Sequence, residues 1–88
     1  MRIIFDLIKN EKNSRERNLP FELVAMFDFD HALFSLDERK EYGETRFIAL
    51  GLLKDRPHVL CFAETSDGIR VISFRKANSR EVKRYDSA

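Results

Sequence analysis

The chain is poor in residues that staple or punctuate a fold. It has one cysteine, no tryptophan, three glycines and two prolines in 88 residues. A single thiol, Cys61, excludes an internal disulfide and a zinc site built from several cysteines. Such usage fits a reducing compartment. Long apolar runs are missing too. Met1-Arg2-Ile3-Ile4-Phe5 meets Asp6 before it reaches signal-peptide length, and Ile48 to Leu53 is far too short to span a bilayer. The expectation is a soluble, cytoplasmic chain. There is also no Gly-rich phosphate loop, no pair of histidines at metal-ligand spacing and no cysteine placed beside a histidine. Nucleotide-cradling, zinc-hydrolase and thiol-nucleophile chemistry therefore have no motif to stand on, and no cofactor or metal is expected. Asp28, Asp30 and His31 come nearest to a cation site, but such groups in a loop are ordinarily just solvated. His58, directly after Pro57 at a strand start, reads as structural.

What the chain does have is apolar bulk and asymmetric charge. Hydrophobic residues make up 43% and eight are Phe, enough for one modest core in a single domain over residues 1–88. The net charge of +1 conceals an imbalance. Residues 1–44 carry seven basic and ten acidic side chains, whereas residues 45–88 carry nine and five. Between Ile69 and Tyr85 six basic residues (Arg70, Arg75, Lys76, Arg80, Lys83, Arg84) face one acid, Glu81. A basic patch on one pair of elements is the footprint of a phosphate-binding surface, and a solvated helix face is the competing reading.

Ile3–Phe5 reads as a strand, Asp6 as the cap of a helix with Leu7 and Ile8 as its apolar anchors, and Asn18 as its left-handed stop. Pro20 opens a second short helix in which Phe21, Val24, Ala25 and Phe27 share a face, widened by Leu23 and Met26. A weak strand over Ala32–Leu36 precedes a charged loop, Asp37 to Gly43. Strands follow over Thr45–Leu53, His58–Thr65 and Ile69–Phe74, joined by the turns Lys54-Asp55-Arg56-Pro57 and Ser66-Asp67-Gly68, with Gly68 free to take a positive φ. Asn78 with Glu81 forms a capping box for a last helix, where Val82 and Tyr85 face inward. Short connections imply antiparallel pairing, so the class is α+β.

Arginine at the sheet margins is the feature that carries chemistry. Glu44 and Arg46, two apart at a strand start, point to one face. Arg70 and Arg75 are five apart, so a regular strand would send them to opposite faces. A guanidinium fork suits a phosphate because it donates two parallel hydrogen bonds and keeps its proton. Ion pairing with Glu44, Glu64 or Glu81 is the alternative.

Taken in order, the residues resemble the BrnT family. Phe5-Asp6-Leu7-Ile8-Lys9 with Asn13 is similar to its opening aromatic-Asp-x-x-Lys-x-x-x-Asn, and Phe21-Glu22 to its Phe-Glu. Glu44-Thr45-Arg46 with Leu50-Gly51, Ile69 to Ala77, and Glu81 with Tyr85 resemble its later motifs. The resemblance spans residues 5 to 85 and implies a compact RelE-like α+β ribonuclease. It further implies the toxin half of a type II toxin–antitoxin pair, held by a BrnA-like antitoxin in a 2:2 assembly that contacts DNA through the antitoxin. Three positions depart from the pattern. Glu16-Arg17-Asn18 stands where the family commonly has Lys-His-Gly, which removes a candidate proton carrier. Phe5 replaces a Trp, and Pro20 replaces a capping Ser or Thr.

The site expected on this basis is Glu44, Arg46, Arg70 and Arg75 for catalysis. Glu44 is either the general base or the residue that orients Arg46. Lys9 would bind a flanking phosphate or donate to the leaving oxygen. Lys76, Arg80, Lys83 and Arg84 would carry the RNA backbone, the last three alternatively meeting an acidic antitoxin segment. Tyr85 packs the last helix in preference to donating a proton. A catalytically inactive RNA- or antitoxin-binding relative is the alternative, and a module that oligomerises through its sheet is a third.

Overall fold

In a computed structural model of residues 1–88, five strands form one mixed sheet with helices on both faces. The elements are β1 (Arg2–Phe5), α1 (Leu7–Arg17), a 3-10 helix (Phe21–Met26), β2 (Leu33–Leu36), β3 (Phe47–Leu53), β4 (Arg56–Glu64), β5 (Gly68–Lys76) and α2 (Ser79–Asp86). Strand order is β1-β5-β4-β3-β2, antiparallel throughout except that β1 runs parallel to β5. The α+β class read from the sequence holds. Short connections alone could not place β1, which joins the far edge of the sheet beside the last strand.

One face of the sheet packs under α1 and the 3-10 helix. Ala49 and Leu53 of β3, Leu60 and Phe62 of β4, and Ile69, Val71 and Phe74 of β5 meet Leu19, Phe21, Val24 and Phe27 there. The 3-10 form explains which residues of the second helix are buried. At three residues per turn Phe21, Val24 and Phe27 stack on one side, while Ala25 and Met26, expected on the buried face at α-helical spacing, are exposed. Gly51 lies under this layer. A Cβ there would sit 2.8 Å from Phe27 Cζ, so the bare backbone is what lets the ring settle onto β3.

Helix α1 corrects a second expectation. Leu7 and Ile8 are 77% and 79% exposed and anchor nothing. The anchor is polar. Asn13 is buried, and its Nδ2 donates to the carbonyls of Leu19 at 2.8 Å and Phe74 at 2.9 Å, while its Oδ1 accepts from Arg17. β1 pairs with β5 only as far as Val71, so Asn13 satisfies an edge carbonyl that no strand reaches. Asn10 ties the same helix forward, accepting from the Phe21 N–H and donating to Glu22. Asp6 caps α1, and Asn18 ends it at φ 53°, as expected.

Turn chemistry differs from expectation at both hairpins. Gly68 has no positive φ. It is glycine because a Cβ there would land on the Arg2 carbonyl, where β1 closes on β5. Positive φ falls instead on Lys54 (49°) and Asp55 (66°), a two-residue turn of the kind usually filled by Asn-Gly.

Candidate functional site

The second face of the sheet carries the arginines, and a bulge puts them there. β4 pairs with β5 in one register from His58 to Cys61 and in another from Phe62 to Glu64, which leaves Ile72 as an extra residue on β5. An extra residue reverses the alternation of side chains. Arg70, Ser73 and Arg75 therefore lie opposite Ala63, Cys61 and Val59, alternate residues of one face of β4. The odd spacing that would have separated Arg70 from Arg75 is cancelled.

Helix α2 and the loop between β2 and β3 cover this face. From the loop, Glu44 Oε2 accepts from Arg46 Nε at 3.1 Å and from Arg70 Nη2 at 2.6 Å. The two cations hold the Glu44 carboxyl below the usual range, Arg70 contributing most. Arg46 uses only Nε in this bond, and its two Nη groups make no hydrogen bond to the protein. Glu44 and Arg46 open into a polar cleft of about 390 Å³ formed by the loop. Three of the expected catalytic residues thus form one cluster.

Arg75 stands apart from it. Its Nη1 and Nη2 donate to the two oxygens of Glu81 at 2.8 and 3.0 Å, a fork-on-fork pair that fastens α2 to the sheet. That pair, with the Asn78 N–H, lowers the Glu81 pKa from 4.5 to about 2 and raises that of Arg75. Glu81 also closes the expected capping box with Asn78. The inward turn of Val82 and Tyr85 is seen, both half-buried, while Lys76, Arg80, Lys83 and Arg84 are exposed. Lys9 belongs to a different hollow, beside Lys12, Glu16 and Arg17 on α1 and Ser73 on β5.

A group that sequence reasoning passed over lies at the start of the loop. The Asp37 side chain is fully buried and accepts from Arg39 Nε and Nη2, both at 2.7 Å, and from the Tyr42 hydroxyl at 3.1 Å. Arg39 dominates in holding the Asp37 carboxyl far below its ordinary pKa. The signal was a repeat: Asp37-Glu38-Arg39 has the same acid-x-Arg spacing as Glu44-Thr45-Arg46. Asp37 also faces Cys61, whose thiol is pushed upward, chiefly by burial.

The histidines are accounted for locally. His58 is buried, bonded to the Arg56 carbonyl at 2.8 Å and packed on Phe74, with its pKa lowered by desolvation. His31 pairs with Asp28 at 2.9 Å on the surface, and no group of three His, Cys, Asp or Glu side chains is placed to share a metal ion. No helix is long and apolar enough to cross a membrane.

None of the curated proteins matches the chain. The family model described as the ribonuclease toxin BrnT of type II toxin–antitoxin systems matches residues 5–81, a stretch that contains the Glu44–Arg46–Arg70 cluster and the Arg75–Glu81 pair. With most of its length so matched, the chain belongs to the BrnT family of ribonuclease toxins.

Proposed function

We propose that the protein is a metal-independent endoribonuclease that inhibits translation by cutting RNA in the cytoplasm. In this reading a BrnA-like antitoxin neutralises it in a 2:2 assembly that touches DNA through the antitoxin. The observation that carries the catalytic part is the Arg46–Glu44–Arg70 cluster with its free guanidinium edges. In the reaction the ribose 2′-oxygen attacks the adjacent phosphorus and the bond to the 5′-oxygen breaks. The 2′-hydroxyl loses a proton and the leaving oxygen gains one. Negative charge builds on the phosphoryl oxygens, and donors already aimed at them lower the barrier because nothing has to reorganise.

Glu44 serves this chemistry first as an orienting group. A carboxylate whose pKa is pulled down by two cations is a weak base. An incoming phosphodiester that takes over Arg70 would free Glu44 and restore some of its basicity beside the 2′-hydroxyl. Arg75, on the same face, is neutralised by Glu81 and adds charge at the site only when that pair opens. Lys9, on α1, fits a flanking phosphate better than the leaving oxygen. Arg80, Lys83 and Arg84 extend the track or meet an acidic antitoxin segment.

Replacing Arg46 by Ala should abolish growth inhibition and cut the cleavage rate about 10²- to 10³-fold, the cost of one well-placed donor. A folded Arg46→Ala protein that remains fully toxic would show the site to be elsewhere. Chelator should leave cleavage by the wild type unchanged.

One observation favours a second reading. Arg46, Arg70 and Arg75 each already hold a carboxylate, which suits the alternative that the chain is a catalytically inactive member of the family that binds RNA or antitoxin. Such a member would show salt-sensitive RNA binding without cleavage.

A further inference from the structure

Arg46 is held by more than Glu44. Its guanidinium carbon lies 4.0 Å from the centroid of the Tyr42 ring. An aromatic face attracts a flat cation through its quadrupole and sets the plane of the fork without consuming an N–H. Tyr42 is itself pinned, since its hydroxyl donates to Asp37 Oδ2 at 3.1 Å. Asp37 in turn cannot shift. Its side chain is fully buried against the sheet, with Cys61 Sγ 3.8 Å away, and Arg39 grips both of its oxygens. A continuous set of contacts therefore runs from the floor of the sheet through Asp37 and the Tyr42 ring to Arg46, along the wall of the loop cleft.

The geometry points to Tyr42 and Asp37 as positioning residues for RNA cleavage: Asp37 sets the Tyr42 ring, and the ring holds the Arg46 fork so that its free Nη groups meet the scissile phosphodiester. This rests on the role given to Arg46 above. Face and edge of a guanidinium are independent. The edge is what a phosphate takes, and Glu44 is shared with Arg70, so substrate binding competes with the Glu44 tether. The contact through the ring survives that exchange. A single hydrogen bond at Nε leaves the fork free to swing, and the stacked ring removes that freedom before substrate arrives, the condition for a donor to act without reorganisation.

The test uses single-turnover cleavage of an RNA oligonucleotide by the purified chain, with circular dichroism to confirm folding. Tyr42→Leu should slow cleavage about tenfold while KM stays near the wild-type value. Tyr42→Phe keeps the ring but loses its bond to Asp37, and its rate should fall between those of Tyr42→Leu and the wild type. In an Arg46→Ala background Tyr42→Leu should add nothing. An equal loss in that background would make Tyr42 a direct RNA contact and overturn the proposal, as would an unchanged rate in a folded Tyr42→Leu protein. A second readout does not depend on cleavage. The Arg46 Hε resonance should be shielded by the ring, losing that shift in Tyr42→Leu and keeping part of it in Tyr42→Phe. A wild type that fails to cut RNA ends the nuclease reading. The clamp then stands if Tyr42→Leu loses the shielded resonance, and falls if that resonance persists in a folded Tyr42→Leu protein.

Discussion

Glu81 offers the sharpest quantitative test, because it performs two tasks that one substitution can separate. Its carboxylate grips the Arg75 fork and also closes the capping box on the Asn78 N–H. Glu81→Gln leaves a side chain that can still complete the box but removes the charge that Arg75 needs. The folded pKa is about 2 against an ordinary 4.5. At 1.36 kcal/mol per unit the difference corresponds to about 3 kcal/mol at face value. The Arg75 side chain is 40% exposed, so solvent screening reduces this to about 1–2 kcal/mol. The folded value is the lower one, so folding favours the charged carboxylate. The stabilisation is complete above pH 4.5 and is lost as pH falls toward about 2. Urea unfolding of wild type and variant, followed by circular dichroism at a series of pH values, reads this directly. At neutral pH the variant should unfold about 1–2 M earlier, given a slope of roughly 1 kcal/mol per molar for a chain of this size. The gap should narrow steadily below pH 4.5. A gap that stays constant with pH would assign the loss to helix packing and refute the charge argument. Freed from Glu81, Arg75 should also strengthen RNA binding at low salt, which the same protein can report in a filter or anisotropy assay.

Three further predictions concern the frame that presents the site. Asn13→Ala leaves the Leu19 carbonyl without its donor and the Phe74 carbonyl with only the longer bond from Arg17, 3.4 Å, and should cost about 1–3 kcal/mol in chemical denaturation; a loss below 1 kcal/mol would mean water replaces the amide. Gly51→Ala drives a methyl into Phe27 and Ala32 and should destabilise by about 1–3 kcal/mol, with the Phe27 ring resonances displaced. An unshifted Phe27 would show the ring has room to spare. Replacing Lys54-Asp55 by Asn-Gly relieves two left-handed residues and should raise stability by about 1 kcal/mol, or the melting temperature by about 4–8 °C, without touching RNA cleavage. No gain would mean the turn carries no backbone strain.

Much of the frame was legible in local chemistry. Asp6 and Asn78 are caps because a short oxygen-bearing side chain satisfies the first free N–H groups of a helix, and Asn18 is a stop because it tolerates φ near 53°. Strand alternation and short connections gave the antiparallel β3–β4–β5 core and hence the α+β class. Glu44 and Arg46, two apart along the chain, could be paired on sight, although β3 begins only at Phe47 and both lie in the loop before it and not at a strand start. These features depend on residues within a few positions of each other, and such contacts need no knowledge of the rest of the chain.

The remainder was decided across the sheet. That Arg70 joins Glu44, 26 residues away, follows from strand order. That Arg75 shares its face follows from one extra residue, Ile72, which no periodicity reveals because a bulge is a property of two strands paired. Asp37 looked like one charge among several in a polar loop, and only the folded loop shows it buried beneath Arg39 and Tyr42. Gly68 passed for a turn glycine until β1 closed on it from the opposite end of the chain. Local propensity determined which segments are helix and strand. Tertiary packing, which alone brings distant side chains within hydrogen-bonding reach, decided that Arg46 opens onto the cleft, that Arg70 shares its carboxylate and that Arg75 is held by Glu81.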